Sequence, residues 1–456
     1  MTSRGGKRPV IGATVALTMA LMCGCSSDNK KAGGPNYDYT YFERQQAAQE
    51  AERAKVTTQG LWSNEGGSGR RFGVILPLDS SLRRAGESVM SGMLAGYWAD
   101  NQNARARLMI YREGQYKNIF AAYKKAVQNG AEVVIGPLPK DSVRALVETT
   151  PIGTPTIALN AASRANFGEP NLYQFSLSLE EEAENAARIL YGSGYKRVFM
   201  LYEDNEVGNR AMRKFQSEML RLGGVVPNPV EFSTRNSSYE APAERIAEAT
   251  YREKLFSVNP KEQRYAVYRK ADAMFVAGER NGIEGMVWAL RQAGIKDLPI
   301  VTTSNANVKD HEVKGVYIVD IPWLVDSKLR SAVWARTAPG FRSEALSFDP
   351  RLFAMGMDSY RLAQNLEWMN ANRSRSLEGV TGTLTISQKG HVNRAMVLGK
   401  IEGGKMLEAK LPAFDEKQRR PIHDIVVRDG RETIVASNET RGSTLFWRNP
   451  FSSVRF

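Results

Sequence analysis

The feature that most constrains the fold of this chain is an alternation of short, unbroken apolar runs with segments of helical periodicity. A strand that is apolar at every position has both faces buried, which happens when helices cover both sides of a parallel sheet. The first series of apolar runs lies at residues 72–78, 108–111, 131–135 and 156–159, and the second at 198–202, 273–276 and 298–301. The sequence therefore predicts an α/β protein with two doubly wound parallel-sheet lobes in succession.

The remainder of the chain is predicted to return to the first lobe and then to the second. A strand at residues 316–320 precedes a long helical pattern at 352–369, and residues 383–386 and 395–400 indicate a closing hairpin. Crossover hinges would then join the lobes. The predicted division assigns residues 71–176 and 320–376 to lobe 1, and residues 177–319 and 377–411 to lobe 2.

Glycines and charged residues mark the connections of the second series. Gly223 and Gly294 stand where helices should end before the next strand, a usual role of glycine at a helix C-terminus. Residues 237–270 form a longer and more charged connection than such a unit requires. We expect this segment to be helical, with pieces at 244–253 and 261–269.

The first residues have the parts of a bacterial lipoprotein signal. Arg4, Lys7 and Arg8 precede an apolar stretch that is too short to cross a bilayer as a helix and that ends in a small residue before Cys25. We expect residues 1–24 to be a cleaved signal peptide and Cys25 to be the acylated first residue of the mature chain. Two or three acyl chains would hold it on a membrane essentially permanently. An uncleaved anchor helix is the alternative.

The composition after residue 24 limits what the mature chain can do. Both cysteines lie at positions 23 and 25, so no disulfide, thiol nucleophile or cysteine metal site is expected. Residues 25–70 are rich in glycine and charge and are predicted to be a flexible tether. The mature formal charge of about +10 favours anionic surfaces, namely lipid headgroups, peptidoglycan or an acidic protein face, and the alternative is charge spread over the surface that serves solubility alone. We expect no nucleic-acid partner for an exported protein.

No arrangement of residues indicates enzymatic chemistry. The histidines His311, His391 and His423 have no metal-ligand spacing and no partner that would make a catalytic triad. No glycine-rich phosphate loop precedes a helix with a lysine in place. The acidic residues 180–182 fall in a predicted first helical turn, where they favour the helix dipole and need no catalytic role. We expect no enzymatic activity, no metal and no cofactor.

Several motifs, taken together and in order, resemble a known fold and one branch of it. The motifs that resemble the type I periplasmic binding protein fold are Gly73-Val-Ile-Leu-Pro-Leu-Asp79, Gly86, Gly92, Val134-Ile-Gly-Pro-Leu138 and Val380-Thr-Gly-Thr-Leu384. The motifs that resemble the LppC/LpoA branch of this fold are Arg269-Lys-Ala-Asp-Ala-Met-Phe-Val-Ala277, Leu298-Pro-Ile-Val-Thr-Thr-Ser304 and Phe353-Ala-Met-Gly-Met-Asp358. The resemblance spans residues 71–411.

This resemblance implies an outer-membrane lipoprotein that activates a bifunctional class A penicillin-binding protein in peptidoglycan synthesis. Ser26 and Ser27 after Cys25, with no aspartate, are similar to the outer-membrane sorting pattern. Better-known members have a helical-repeat domain before the binding-protein-like domain, whereas only residues 25–70 precede it here. The activating contacts are attributed to the binding-protein-like domain, so the resemblance still implies activation. A tethered solute receptor for amino acids and a wall-binding structural lipoprotein are the alternatives.

The carboxyl ends of the predicted strands are expected to line a cleft between the lobes. The candidate cleft residues are Ser80, Ser81, Gly136, Pro137, Asn160, Ser163, Tyr202, Glu203, Glu279, Ser304 and Asn305. Each also fits an ordinary strand-to-helix loop, in which Ser81, Asp141 and Ser163 are helix N-caps. Tyr202, Glu203 and Glu279 are large or acidic for a pocket that must accept an α-carboxylate, which predicts a closed or repurposed cleft.

Residues 412–456 form a basic and aromatic C-terminal extension outside the resemblance. Phe446, Trp447 and Phe451 lie beside arginines, a combination that is typical of docking peptides because large rigid side chains supply interface energy at low entropic cost. The alternative is a strap that packs these rings on the protein's own lobe. We favour the strap, since unprotected aromatic side chains promote aggregation.

Overall fold

Two sheets with the same parallel strand order form the centres of two lobes. The computed structural model describes residues 69–100, 105–149, 151–162, 169–235, 239–306, 315–335, 349–402, 405–415 and 419–437. The first sheet contains β1 (Arg71–Leu76), β2 (Arg107–Arg112), β3 (Val133–Ile135), β4 (Thr156–Ala158) and β5 (Leu172–Gln174). Its order is β2-β1-β3-β4-β5, and every neighbouring pair is parallel.

Both faces of this first sheet are covered. Helices α1 (Arg83–Ala99), α2 (Ile119–Gln128) and α3 (Lys140–Thr149) connect its strands. In β1, Phe72, Val74 and Leu76 pack into the core on one face, whereas Ile75 packs with Tyr111 on the other. No position after Arg71 needs a polar side chain, which is why this strand is an unbroken apolar run.

The second sheet repeats the parallel order of the first. The next strands are β6 (Val198–Glu203), β7 (Val230–Phe232), β8 (Thr250–Leu255), β9 (Glu262–Arg269), β10 (Ala273–Ala277), β11 (Ile300–Thr302) and β12 (Val316–Asp320). Helices α4 (Leu179–Gly192), α5 (Glu206–Arg221), α6 (Glu240–Glu248) and α7 (Arg280–Gln292) accompany them. The parallel part runs β7-β6-β10-β11-β12. Gly223 and Gly294 have positive φ after α5 and α7, as the prediction of helix C-caps required.

The chain then crosses back to the first lobe and returns. The elements are α8 (Pro322–Val325), α9 (Ser327–Trp334), α10 (Pro350–Ala371), β13 (Ser376–Glu378), β14 (Thr383–Ile386), β15 (Val392–Ala395), β16 (Val397–Glu402), β17 (Lys405–Glu408), β18 (His423–Arg428) and β19 (Arg431–Ser437). Helix α10 packs in the core of the first lobe, and β16 pairs antiparallel with β12 of the second.

The predicted closing hairpin was wrong in its second strand. β14 pairs with β15 rather than with residues 395–400, and β16 pairs with β12 and β17. Leu384 and Val392 lie in the core of the first lobe, whereas Leu398 lies in that of the second. The structure therefore divides residues 377–411 between the lobes, and the chain crosses at Met396. Alternation along β14 and β15 buries one side of this ribbon on the first lobe.

The predicted helices in residues 237–270 were also wrong for most of their length. Only α6 is helical, and β8 and β9 form an antiparallel hairpin. The strands β18 and β19 complete a four-stranded sheet in the order β19-β18-β9-β8. The described part of the C-terminal extension thus includes two strands of this sheet. Neither β8 nor β9 shows a two-residue alternation of buried and exposed positions, and the strand that pairs with β9 lies more than 150 residues further along the chain.

Helices α1 and α10 approach so closely that they require glycine at the contact. A Cβ atom added to Gly92 would lie 1.8 Å from the Phe353 carbonyl oxygen, and one added to Gly356 would lie 1.9 Å from the Val89 carbonyl oxygen. Neither backbone oxygen can move without shifting a helix. Both glycines therefore allow α10, which arrives late in the sequence, to complete the first core.

We expect Gly356→Ala to lower the free energy of unfolding by about 2–4 kcal/mol, because the added methyl group overpacks the contact between two helices. Chemical denaturation of the purified protein would measure this change. The matched control is Gly192→Ala at the end of α4, where an added Cβ meets no atom within 4 Å. We expect this control to be neutral or slightly stabilising. An equal loss in both variants would contradict close packing of α1 on α10.

Candidate functional site

The described candidate cleft residues of the first lobe lie in the loops that follow β1, β3 and β4. Ser80 lines an open depression of about 240 Å³ together with Glu113, Tyr116 and Asn118. Gly136 and Pro137 follow β3 and are joined by a cis peptide bond. Asn160 donates from Nδ2 to the Leu138 carbonyl oxygen at 3.2 Å, so its side chain connects two of these loops.

The N-cap interpretation was wrong for Ser81. Leu82 occupies the N-cap position of α1, and Ser80 Oγ accepts a hydrogen bond from its amide at 3.2 Å. Asp141 lies in the first turn of α3 and pairs with Arg144 at 2.9 Å. Ser163 lies outside the described residues, as do Cys25 and the tail residues Phe446, Trp447 and Phe451.

The candidate residues of the second lobe contact one another. The Glu203 carboxylate is buried and accepts hydrogen bonds from the Glu279 amide at 2.6 Å and from Thr234 Oγ1 at 2.9 Å. It therefore lies at the N-terminus of α7, where the helix dipole favours a negative charge. Asn305 donates from Nδ2 to the Gly278 carbonyl oxygen at 2.9 Å, which joins the ends of β10 and β11.

Tyr202 lies at the edge of this group. Its hydroxyl donates to Glu231 Oε2 at 3.1 Å, and partial burial together with that carboxylate raises the pKa of the Tyr202 hydroxyl. Polar groups at the strand ends of the second lobe are thus largely engaged by neighbours within the same lobe.

Buried carboxylates occupy the places where the chain crosses between the lobes. We call Glu181, Glu182, Asp320 and Asp358 the hinge carboxylates; each is at most 8% exposed. Glu181 and Glu182 begin α4 directly after the first crossing, Asp320 ends β12 at the second, and Asp358 lies in α10 beside the loop that leads to β14. Only Ser304, which binds Glu182, was among the predicted cleft residues.

Glu181 forms a buried ion pair with Arg394, across the lobe boundary. The Arg394 side chain is 1% exposed; its Nε and Nη2 atoms lie 2.9 and 2.5 Å from Glu181 Oε2, and its backbone amide lies 2.6 Å from Oε1. Asn185 of α4 reinforces this contact by donating to the Arg394 carbonyl oxygen at 3.0 Å and accepting from the Met396 amide at 2.9 Å. The third crossing of the chain is therefore bonded directly to α4.

Asp320 makes a second connection between the lobes, whereas Asp358 binds a loop of its own lobe. Asp320 at the end of β12 accepts from Arg351 of α10, with Nη2 to Oδ2 at 2.6 Å and Nε to Oδ1 at 3.1 Å. Asp358 is fully buried and accepts from the amides of Val380 and Thr381 at 2.9 and 2.7 Å. Burial raises the pKa of the Asp358 carboxyl, and these hydrogen bonds oppose that effect.

Glu182 is the hinge carboxylate with the largest shift. Burial and, secondly, the nearby charge of Asp320 raise the pKa of Glu182 to about 7. Its oxygens accept from the Ser304 amide at 2.7 Å and from Ser304 Oγ at 2.8 Å, which ties α4 to the end of β11.

The contacts of Glu181 with Arg394 and of Asp320 with Arg351 can hold the two lobes in one relative orientation, and all four hinge carboxylates are buried away from solvent. Within the described ranges, no three His, Cys, Asp or Glu side chains are placed to hold a metal ion. None of the helices in those ranges is both long and apolar enough to cross a membrane.

The sequence analysis assigned residues 180–182 only to the helix dipole and did not predict their contacts near the crossings. The signal in the sequence that could have indicated these contacts was the position of residues 180–182 directly after a predicted crossing between the lobes.

Comparison of the sequence with models of known protein families identifies the family of this chain. The model described as "LppC putative lipoprotein" matches residues 59–402, about three quarters of the chain. The chain belongs to the LppC family. This confirms the resemblance found in the sequence.

Several relatives of this LppC protein from different bacteria carry the same name. "Penicillin-binding protein activator LpoA" of Photobacterium profundum is 23% identical over 342 residues, which are 71% of this chain and 54% of the relative. The protein of the same name from Klebsiella pneumoniae is 26% identical over 333 residues, 67% of this chain and 45% of the relative. The chain thus spans about half the length of the curated relatives it matches.

Solved structures confirm the fold of this LppC protein. The LpoA (YraM) C-domain from Haemophilus influenzae, described as a regulator of PBP1A, superimposes with a TM-score of 0.59 at 20% identity, covering 74% of this chain and 99% of that one. A putative branched-chain amino acid ABC transporter from Chromobacterium violaceum gives 0.55 at 28% identity, covering 73% and 100%. The predicted architecture, two α/β lobes of the type I periplasmic binding protein kind, is confirmed.

We expect Arg394→Met to lower the free energy of unfolding by about 3–5 kcal/mol, because Glu181 would remain buried without its partner. Denaturant titration would measure the loss. The control is Arg144→Met in α3, whose ion pair with Asp141 is largely exposed and should contribute less than about 1 kcal/mol. If both variants lost the same amount, the buried pair would not be the contact that holds the crossing.

We expect the stability of the LppC protein relative to its Glu182→Gln variant to fall as pH rises from about 5 to 8. The folded pKa of Glu182 is raised to about 7, above the ordinary glutamate value of 4.5, so its favourable contribution to stability is complete below the unfolded pKa and is lost as pH passes the folded pKa. The difference between the two proteins should change by about 3 kcal/mol. Unfolding curves of both proteins at several pH values measure this difference. Because both proteins contain the same histidines, the contribution of histidine titration cancels when the two free energies are subtracted. A flat difference would contradict this expectation.

Proposed function

We propose that this LppC protein is an outer-membrane lipoprotein that binds a class A penicillin-binding protein and raises its activity in peptidoglycan synthesis, without catalysing a reaction itself. The observation that carries the proposal is the family match over residues 59–402, in a family whose relatives are named penicillin-binding protein activators. The matched region contains both lobes and all three crossings.

A regulator of this kind acts through differential affinity. It shifts an enzyme toward an active conformation only by binding that conformation more tightly than the inactive one, and a tenfold shift requires about 1.4 kcal/mol of difference. The buried contacts of the hinge carboxylates favour this mode of action, because a binding surface with a fixed shape distinguishes two conformations of a partner better than a mobile one.

The proposed location rests on the beginning of the sequence. Residues 1–24 would be removed, Cys25 would carry the acyl chains, and residues 25–70 would tether the lobes so that they face the periplasm. The family description as a putative lipoprotein supports this arrangement. The basic charge of the chain suits contacts with anionic peptidoglycan as well as with the enzyme.

A tethered receptor for amino acids is the second candidate, favoured by the similarity to the Chromobacterium violaceum structure. The geometry of the second lobe supports it less well. Glu203 is already held at the N-terminus of α7, where an incoming carboxylate would otherwise be expected to bind.

We expect the acylated mature chain to increase glycan polymerisation or peptide crosslinking by a class A penicillin-binding protein of its own host at least several-fold in a reconstituted assay. Titration should give a saturating effect, since activation follows occupancy of the complex. Calorimetry with free amino acids provides the comparison. Micromolar amino-acid binding without any effect on the enzyme would support the receptor instead.

A further inference from the structure

The tip of the β8–β9 hairpin carries the most exposed large apolar side chains among the described residues. Phe256 is 87% exposed and Val258 is 89% exposed, whereas the other exposed large apolar side chains there reach at most 60%. The two residues are separated only by Ser257. An aromatic and an aliphatic side chain placed together in water are an unfavourable arrangement unless another surface covers them.

The turn that carries these side chains is held by its own polar groups. Ser257 Oγ donates to the Asn259 carbonyl oxygen at 3.1 Å, and Asn259 Oδ1 accepts from the Lys261 amide at 3.0 Å. The Asn259 amide group also donates from Nδ2 to Glu262 Oε1 at 2.8 Å. Because the turn is ordered in advance, a partner that binds the tip pays little conformational entropy.

The base of the hairpin is held to the second lobe. Arg419 lies over the rings of Tyr251 and Tyr268, with its guanidinium carbon 5.2 and 5.7 Å from their centroids, and its Nε is 2.9 Å from Asp272 Oδ1. Arg252 of β8 and Glu432 of β19 form a two-point ion pair at 2.6 and 3.0 Å. The exposed tip therefore stands on a braced four-stranded sheet.

We propose that Phe256 and Val258 insert into an apolar pocket on the penicillin-binding protein, with carboxylates at the rim of that pocket facing Lys254 and Lys261. This inference rests on the proposed function and names the surface that performs it. Buried aromatic anchors with charged neighbours at the rim are the usual source of binding energy in protein interfaces. Both lysines are exposed and flank the tip, so their ammonium groups are available.

The charges around the tip favour a protein over a lipid surface. Residues 252–262 contain Arg252, Glu253, Lys254, Lys261 and Glu262, for a net charge of +1. An anionic bilayer attracts the cationic groups and repels the carboxylates, so this mixture gains little there. Arg252 pairs with Glu432 and Glu262 pairs with Arg428 within the sheet, so a protein pocket can place its carboxylates opposite Lys254 and Lys261.

The test compares Phe256→Ser/Val258→Ser with the unchanged mature chain for binding to the penicillin-binding protein. We expect at least a thirtyfold loss of affinity and loss of enzyme stimulation, with an unchanged denaturation midpoint because both side chains are exposed. The matched control is Leu220→Ser/Val225→Ser, which removes two exposed apolar side chains elsewhere on the second lobe and should keep full affinity. As a second variant, Lys254→Glu/Lys261→Glu should weaken binding most at low salt.

The outcomes separate this inference from the function on which it rests. If the unchanged chain binds and stimulates the enzyme and the tip variant does so equally well, the tip inference is overturned while the proposed function stands. If the unchanged chain neither binds nor stimulates the enzyme, both are overturned.

A vesicle-binding experiment distinguishes a membrane contact of the tip from a protein contact. Chains carrying Cys25→Ser are mixed with vesicles of phosphatidylethanolamine and phosphatidylglycerol, so that no acyl anchor contributes to binding. A tip substitution that abolishes vesicle binding and leaves enzyme binding intact would overturn the inference in favour of a membrane contact.

Discussion

The structure depends on how buried charge is accommodated where the chain crosses between its two lobes. A carboxylate removed from water is costly unless ion pairs and hydrogen bonds replace its hydration. Glu181 meets Arg394, Asp320 meets Arg351, and Asp358 meets two amides of the loop after β13. The Glu181–Arg394 and Asp320–Arg351 contacts each join an element of the second lobe to one of the first, so the lobes must keep one arrangement for both contacts to be satisfied. Asp358 holds the loop before β14 to α10 within the first lobe.

This constraint bears on where the protein can act. The strand ends of the second lobe are engaged by internal contacts of Glu203 and Asn305, and Glu182 is bound to Ser304. A hinged receptor needs free polar groups at these positions, whereas a regulator with a fixed shape does not. The proposed partner surface lies instead on the four-stranded sheet of β8, β9 and the C-terminal strands β18 and β19.

Much of the fold could be predicted because parallel strands with two covered faces leave an unmistakable local pattern. The runs around Phe72 and Phe275 are apolar at almost every position and were correctly placed as strands. The hairpin β8–β9 was missed because both strands are rich in charged residues such as Arg264 and show no two-residue alternation of burial. Its partner strand begins at His423, and no local window contains both.

The sequence by itself determined the fold class, the repeated lobes and the family, since these follow from periodicity and from motifs read along the chain. Only the tertiary structure decided which residues do the joining. The sequence near residues 180–182 does not predict an ion pair with Arg394, because an ion pair between such distant residues is specified by the packing of whole lobes and not by local sequence. Gly356 likewise looks like an ordinary glycine in a helix until α1 is placed against it, when the lack of a side chain becomes the condition for contact.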